Sequence, residues 1–309
     1  MNYGLPYLGS KSKIATDIIS FFPSADNFYD LFAGGCAITH ALMVAPRNLF
    51  NNGFKNYIVN DINGMPEVFY NAIMGKYHDE KRWISRDDYF KFKDSDNYIR
   101  WIWSFGNNGD NYLFSKDIEP IKKAFHYVVM FNNWTYFEGL YTYDFLKETL
   151  NKYGIDDSKI FLDLYKSNYR KRLGRKEHLR VIKWIQKNYI NVRYNFSELQ
   201  QLQQLERLER LSLDYREVGI KPNSVIYCDI PYKIKGCNDY LEKEFDHKTF
   251  WEWAENQTHP IYVSEYSYSG NHPEKWETVY EKEKISLRQS SDGKRNRNIE
   301  KLFWNRKTP

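Results

Sequence analysis

The run Tyr227-Cys-Asp-Ile-Pro-Tyr232 sets a carboxylate, a rigid turn and an aromatic ring side by side. Such a kit suits one task. An aromatic ring stacks on a flat base. A carboxylate and a backbone carbonyl can each accept one hydrogen of an exocyclic amino group. Accepting both hydrogens favours a more tetrahedral nitrogen, whose lone pair then points at an electrophile. Here the acceptors are Asp229 and the Ile230 carbonyl, and the ring is Tyr232. Pro231 restricts Ile230 to extended backbone. A second grouping is Asp30-Leu-Phe-Ala-Gly-Gly35. Small residues between a strand and a helix let a ligand approach the backbone, and the helix N-terminal amides face it. Asp61 ends the next strand-like run, where a carboxylate can accept both ribose hydroxyls of a nucleoside. Each grouping alone also reads as ordinary structure: an Asp-x-Pro turn with a surface tyrosine, and a tight glycine turn.

These residues need strands to deliver them. Phe28–Phe32 reads as a strand, Cys36 to about Ala45 as an apolar helix, Tyr57–Asn60 as a second strand and Met65–Met74 as a helix. Pro66 falls in the first turn of that helix, where a missing N–H is harmless. The middle of the chain differs. Helical patterns cover Ile118–Phe131, Asp144–Lys152, Ile160–Arg172 and Glu177–Asn188, and Gly106-Asn-Asn-Gly109 marks a loop. The run at 201–211, QLQQLERLERL, reads as a polar, leucine-spaced helix. Strand–helix alternation then returns. Ser224–Cys228 is a buried-strand pattern, His247–Asn256 a helix and Ile261–Ser264 a strand. Glu277–Trp304 reads as a hairpin around SSDGKRNRN. Alternation on both sides of a helical, basic stretch predicts one α/β sheet domain split by a second module.

Composition narrows the class. The chain has 309 residues, a net charge of +5 and 18% aromatic residues, a load that a disordered chain does not carry. Its three cysteines, Cys36, Cys228 and Cys237, have no metal-like spacing and build no disulfide framework, which points to a reducing cytosol. The seven histidines share no spacing either, so no metal site is expected. No apolar run reaches the ~18 residues of a membrane span, and MNYGLPYLGS lacks a basic-then-apolar leader pattern. Lys and Arg concentrate between Lys166 and Lys187, where Glu177 is the one acid. Such a run suits a phosphate backbone, and equally a solvated face.

Taken together the motifs resemble those of the Dam-type (class alpha) adenine-specific DNA methyltransferases. Asp229-Ile-Pro-Tyr232 is similar to the family's Asp-Pro-Pro-Tyr motif, Phe32-Ala-Gly-Gly35 to its AdoMet-binding Phe-x-Gly-x-Gly motif, and Tyr7-Leu-Gly-Ser-Lys11 to its N-terminal aromatic-x-Gly-Gly-Lys element. Asn133–Leu140 is similar to the segment that enters the duplex beside the target base, and Ile285–Phe303 to the C-terminal hairpin. The order of motifs also fits. The resemblance implies a Rossmann-like AdoMet-dependent methyltransferase sheet with an inserted helical target-recognition domain. The catalytic domain would comprise residues 1–75 and 206–309, and the insert residues 76–205. It implies methyl transfer from S-adenosyl-L-methionine to the N6 amino group of an adenine flipped out of double-stranded DNA. The setting would be cytoplasmic, bacterial or in a phage's host, with restriction–modification as its context.

Residue by residue, the resemblance implies Asp229, Ile230, Pro231 and Tyr232 as catalytic. It implies Tyr7, Lys11, Asp30, Phe32, Gly34, Gly35, Asp61, Ile62, Leu213 and Asp214 as cofactor-binding, with Lys11 near the cofactor carboxylate or a phosphate. Phe137 is the candidate wedge into the gap left by the flipped base, with core packing as its alternative, and Glu138 lies where bases are read. Arg170, Lys171, Arg172, Arg175, Lys176, Lys233, Lys235, Lys294, Arg295 and Arg297 are the phosphate-contact candidates. Asn107 and Asn108 either read bases or make the loop turn. Two positions depart from the family pattern. Ile230 replaces a proline and gives up its fixed φ. Cys36 stands where a second glycine is usual, so Gly35 is expected to take over the close approach. Two other readings remain open at this point: an amino-group methyltransferase acting on RNA or protein glutamine, and a catalytically decayed DNA-binding homologue.

Overall fold

The computed structural model describes residues 3–7, 9–45, 53–116, 119–131, 133, 135–137, 207–231, 245–266, 273–289 and 295–309. Backbone contacts divide the chain into two compact units. One comprises Met1–Leu5, Gly9–Tyr70 and Leu202–Pro309; the other comprises Pro6–Leu8 and Asn71–Gln201.

The first unit is built on a seven-stranded sheet. Its strands are β1 (Asn27–Asp30), β2 (Asn56–Asn60), β3 (Leu208–Leu211), β4 (Ser224–Asp229), β5 (Ile261–Tyr266), β6 (Glu277–Gln289) and β7 (Arg295–Trp304), in the spatial order β3-β2-β1-β4-β5-β7-β6. The first five run parallel, and β7 inserts antiparallel between β5 and β6. This is the Rossmann-like sheet that the resemblance implies. The order reverses between β1 and β4, so β1 and β4 flank the point where crossovers leave in opposite directions. In open parallel sheets that point, at the carboxyl edge, is where ligands bind.

The strands are apolar because both sheet faces are covered. In register, Tyr29 pairs with Ile58 and Ile226, and Ile226 with Ile261. One core cluster gathers Leu31, Ile58, Ile226, Cys228, Ile230, Phe250, Trp251, Val263 and Phe303. Phe22 packs against Phe28, Tyr227 and Tyr262 at ring separations of 5.5, 5.9 and 4.9 Å. The helices of this unit are α1 (Ala15–Ile19), α2 (Ala37–Val44) and a long stretch of α3 (Met65–Ile73), followed near the end by α7 (His247–Asn256).

The second unit contains α4 (Arg86–Phe92), α5 (Asn97–Ile102) and α6 (Glu119–Phe131), with short 3-10 turns at Phe105–Asn107 and Thr135–Phe137. The helices α4 and α5 escape the sequence reading, yet both begin on side-chain caps. Ser85 Oγ accepts from Asp88 N at 3.1 Å, and Asp96 Oδ1 accepts from Tyr98 N at 2.9 Å. Aromatic pairs hold this unit: Trp83 stacks on Phe114 and Tyr77 on Tyr98. No helix among the described residues is long and apolar enough to cross a membrane.

One element is corrected. The segment expected to be helical over 201–211 is strand β3 at Leu208–Leu211. Its leucine spacing matches a helix stripe, but β2 offers a parallel edge: Leu208 pairs with Tyr57 and Leu211 with Asn60. Four residues of helix propensity yield to that pairing. Residues 144–188, with their expected helices, lie outside the described residues.

Candidate functional site at the carboxyl edge of the sheet

Strand β4 carries Asp229 to the carboxyl edge, next to the switch point. Its carboxylate is one-fifth exposed and forms an ion pair with Lys11 Nζ at 2.6 Å. Lys11 is itself buried, at 5% exposure, and its ammonium also lies 3.5 Å from Glu300 Oε1 on β7. Burial pushes the Lys11 ammonium toward neutrality, but Asp229 and Glu300 more than offset that, so its pKa lies above the ordinary lysine value. Lys11 is therefore a buried cation engaged by carboxylates. Ile230, the departure from proline, buries its side chain in the cluster with Leu31 and Phe250, while Pro231 faces solvent. The isoleucine thus anchors the loop by packing instead of by a ring-locked φ.

The glycine turn after β1 sits beside this carboxylate's strand. Gly34 has φ 46° and Cys36 φ 58°, both left-handed. Cys36 itself adopts the left-handed conformation for which glycine is usual. Its backbone is fixed on both sides, donating to Ala33 O at 2.7 Å and accepting from His40 N at 2.9 Å. Its side chain is fully buried, and burial pushes the thiol well above its ordinary pKa, which makes it inert. Asp61 fastens the turn. Its Oδ2 accepts from Gly34 N at 2.8 Å and its Oδ1 from Asn63 N at 3.1 Å. Each oxygen keeps a further lone pair for a ligand.

Two positioning residues lie outside the sequence-read set. Gly4, at φ +69°, runs against the turn so closely that a Cβ there would stand 2.3 Å from Gly35 O and 2.7 Å from Ala37 N. Gly4 N donates to His40 Nδ1 at 2.8 Å and Leu5 N to Gly35 O at 2.7 Å. Nothing local in Tyr3-Gly-Leu-Pro6 announces this, because the contact is tertiary. Asn60 is the other. Buried just before Asp61, it donates to Leu31 O at 3.2 Å and Leu213 O at 3.0 Å and accepts from Leu213 N at 2.9 Å. A polar residue closing an apolar strand was the available signal.

The electrostatics are acidic. Asp30 ends β1 fully buried. Its Oδ2 accepts from Thr39 Oγ1 at 2.8 Å, whereas its Oδ1 has no hydrogen-bond partner among the described residues. Burial raises its pKa to about 7, with Asp229 and Asp61 adding to the rise. Burial likewise raises Asp61 to about 6. Glu265 on β5, also fully buried, is raised to about 8 by burial; its Oε2 lies 3.7 Å from His247 Nδ1. Among the described residues, Asp30 Oδ1 and Glu265 Oε2 both lack a hydrogen-bond partner, and a row of carboxyls with such oxygens fits a ligand that brings hydroxyl donors and positive charge. AdoMet, with ribose hydroxyls, an ammonium and a sulfonium, is such a ligand.

The other expected cofactor residues occupy varied environments. Phe32 packs on Tyr215 and Phe245 at 5.3 and 5.5 Å. Ile62 is largely exposed, an apolar side chain in the open directly after Asp61. Leu213 is partly exposed beyond β3. Asp214 is held by Arg216, whose guanidinium approaches at 2.7 and 2.8 Å and keeps the carboxyl below its ordinary pKa. Tyr7 belongs to the second unit, its ring tilted against Trp101 at 5.6 Å.

In that unit, both asparagines of the Gly-Asn-Asn-Gly loop make the turn. Asn107 Nδ2 donates to Trp101 O at 3.0 Å, and Asn108 Oδ1 accepts from Asp110 N and Asn111 N. Phe137 lies in the 3-10 turn Thr135–Phe137. On β7, Arg295 stands opposite Gln289 and Arg297 opposite Ile285. Tyr232, Glu138, Arg170, Lys171, Arg172, Arg175, Lys176, Lys233, Lys235 and Lys294 lie outside the described residues.

No curated protein matches the chain. A model of the D12 class N6 adenine-specific DNA methyltransferases matches residues 7–288, a stretch that includes the five parallel strands and Asp229, and the chain belongs to that family.

Proposed function

We propose that this enzyme methylates N6 of an adenine flipped out of duplex DNA, with Asp229 as the residue that receives the amino group and AdoMet as donor. The observation that carries the reading is Asp229 itself: a carboxylate at the switch-point edge, held by a buried lysine, beside a glycine turn fastened by Asp61. The family implies AdoMet in general, and the acidic edge fits it. When bound, AdoMet supplies an electrophilic methyl carried on a sulfonium.

Asp61 accepts the ribose hydroxyls while retaining its bonds to the Gly34 and Asn63 amides. Asp30 faces positive charge. Phe32, Ile62, Leu213 and Asp214 border the nucleoside, the Gly34-Gly35 turn lets the ligand lie against the backbone, and Tyr7 flanks it. Asp229 and the Ile230 carbonyl accept the two amino hydrogens of the target adenine, and Tyr232 stacks on its ring. Asp229 need not be a strong base. It orients the nitrogen lone pair and stabilises the positive charge that develops on N6, and the surplus proton leaves N6 after the new N–C bond forms. Flipping costs a few kcal/mol, and Phe137 fills the gap. Residues 76–205 read the target, Glu138 among them. Arg170, Arg172, Arg175, Lys176, Lys233, Lys235, Lys294, Arg295 and Arg297 contact phosphates, which makes binding salt-dependent.

The test combines purified protein, AdoMet and a mixed-sequence duplex, followed by nucleoside digestion and mass spectrometry. N6-methyladenine is expected. Asp229→Ala should cut turnover by at least ~10²-fold while AdoMet binding by calorimetry survives. Near-wild-type turnover in that variant refutes the role of Asp229; methylation of RNA or protein in place of duplex refutes the substrate.

A further inference from the structure

The Lys11 ammonium is shared between two carboxylates, Asp229 at 2.6 Å and Glu300 at 3.5 Å. Sharing is unequal, and the two anions differ in exposure: Glu300 is 2% exposed against 21% for Asp229. Glu300 is held firmly, because its backbone sits in β7 between two paired strands, opposite Tyr266 of β5 and Lys282 of β6. A buried glutamate in the centre of a hairpin costs solvation free energy and is kept only with compensation. Here the compensation is a lysine already engaged by the residue at the reacting edge.

A charge count shows what the second carboxylate changes. Lys11 with Asp229 alone is neutral, and a neutralised carboxylate is a poor stabiliser of a cation. Glu300 makes the cluster one charge more negative than Lys11 with Asp229 alone. The lysine then fixes the direction of Asp229 without cancelling the negative charge the edge presents. Charge development on N6 in the transition state is positive, so this residual negative charge acts in the transition state more than in the ground state.

We propose that Glu300 is a positioning residue for catalysis: by taking a share of the Lys11 ammonium it lets Lys11 orient Asp229 without quenching it. The inference rests on the reading of Asp229 given above. Glu300 touches neither substrate nor cofactor in this scheme and acts through Lys11.

Three variants of the full chain test it: Glu300→Gln, Lys11→Met and the double variant. Gln keeps the side chain's size and an oxygen for Lys11, and removes only the charge. Glu300→Gln is expected to lower kcat at least tenfold, with KM for duplex and for AdoMet within twofold of wild type. The double variant, in which no Lys11 ammonium quenches Asp229, is expected to regain at least threefold in kcat over Glu300→Gln. An unchanged kcat in Glu300→Gln overturns the proposal. So does a double variant slower than both single ones, the result expected of a merely structural ion-pair cluster. If Glu300→Gln fails to fold by tryptophan fluorescence, the comparison falls to the other two: because Glu300 acts only through Lys11, a double variant within twofold of Lys11→Met in kcat supports the proposal, and a larger difference in either direction overturns it. Asp229→Ala assayed in parallel separates the two claims, because wild-type turnover there removes the reading of Asp229 irrespective of Glu300.

Discussion

Asp30 is where structure and function pull in opposite directions, and Asp30→Asn exposes the conflict. The carboxyl is 1% exposed, and its ordinary value of 3.8 rises to about 7 in the fold, chiefly through burial. A folded pKa above the unfolded one means that the native state binds the extra proton. The group's contribution is therefore most favourable below pH ~4 and is lost as pH rises through about 7. From 3.8 to about 7 the full loss is about 4 kcal/mol, of which about 2–3 kcal/mol falls between pH 5 and pH 8. Asparagine never ionises. It keeps an oxygen for Thr39 Oγ1, but its new amide N–H replaces the unpartnered Oδ1 at a cost of about 1–3 kcal/mol if unpaired. Asp30→Asn should then be neutral or destabilising at pH 5 and stabilising by about 1 kcal/mol or more at pH 8. Urea denaturation of both proteins at pH 5, 6, 7 and 8 measures this difference directly. AdoMet affinity, followed by calorimetry across the same range, should fall in the variant at pH 8 more than at pH 5, because only the ionised carboxyl attracts the ligand's cation. A stability difference constant to within about 0.5 kcal/mol from pH 5 to pH 8 would refute the argument.

Gly4→Ala should be severely disruptive, losing about 3 kcal/mol or more and most AdoMet affinity, since the added carbon meets backbone at 2.3 Å; Gly9→Ala, with φ +90° but open space around it, should lose only about 1 kcal/mol. Thermal melts of the pair decide whether contact or conformation sets the cost. Asp61→Ala removes both acceptors that fasten the glycine turn and should weaken AdoMet at least tenfold by calorimetry, with Asp61→Asn intermediate. Ile230→Ala should cost about 2–5 kcal/mol, because the side chain is in the core; a change under 1 kcal/mol in urea midpoints would show that packing does not hold the loop.

The parts of the fold legible in the sequence were those whose pattern is local. β4 and α7 show up as a continuous apolar run and as a helical stripe after Asp246, which caps α7 by accepting from Thr249 N at 3.1 Å. The hairpin of β6 and β7 was legible for the same reason, its polar loop being bracketed by strand-forming runs. β3 was not, because what makes Leu208–Leu211 a strand is the open edge of β2, a partner some 150 residues away. In the site, acids at strand ends were legible as Asp30, Asp61 and Asp229. Their partners were not. Glu300 and Glu265 look like ordinary strand glutamates in sequence, and only the placement of β7 beside β5 brings them toward Lys11.

The two departures from the family's motifs follow one rule. Proline and glycine fix a backbone through φ, the first by restricting it and the second by permitting a left-handed value. Ile230 and Cys36 fix it through burial. Both side chains are within 1% of complete burial, Ile230 beside Leu31 and Phe250, Cys36 beneath the turn it helps form. Cys36 holds its left-handed φ of 58° at a strain of about 1–2 kcal/mol, offset by the hydrogen bonds on either side of it and by a fully buried thiol. Rigidity at this edge therefore comes from the core of the sheet, through side chains reaching down from the loops. Mutations deep in that core, at Leu31 or Phe250, should accordingly reach the chemistry without touching a ligand: Ile230, directly after Asp229, and Leu31 and Phe32, which lead into the glycine turn, belong to or pack on one cluster.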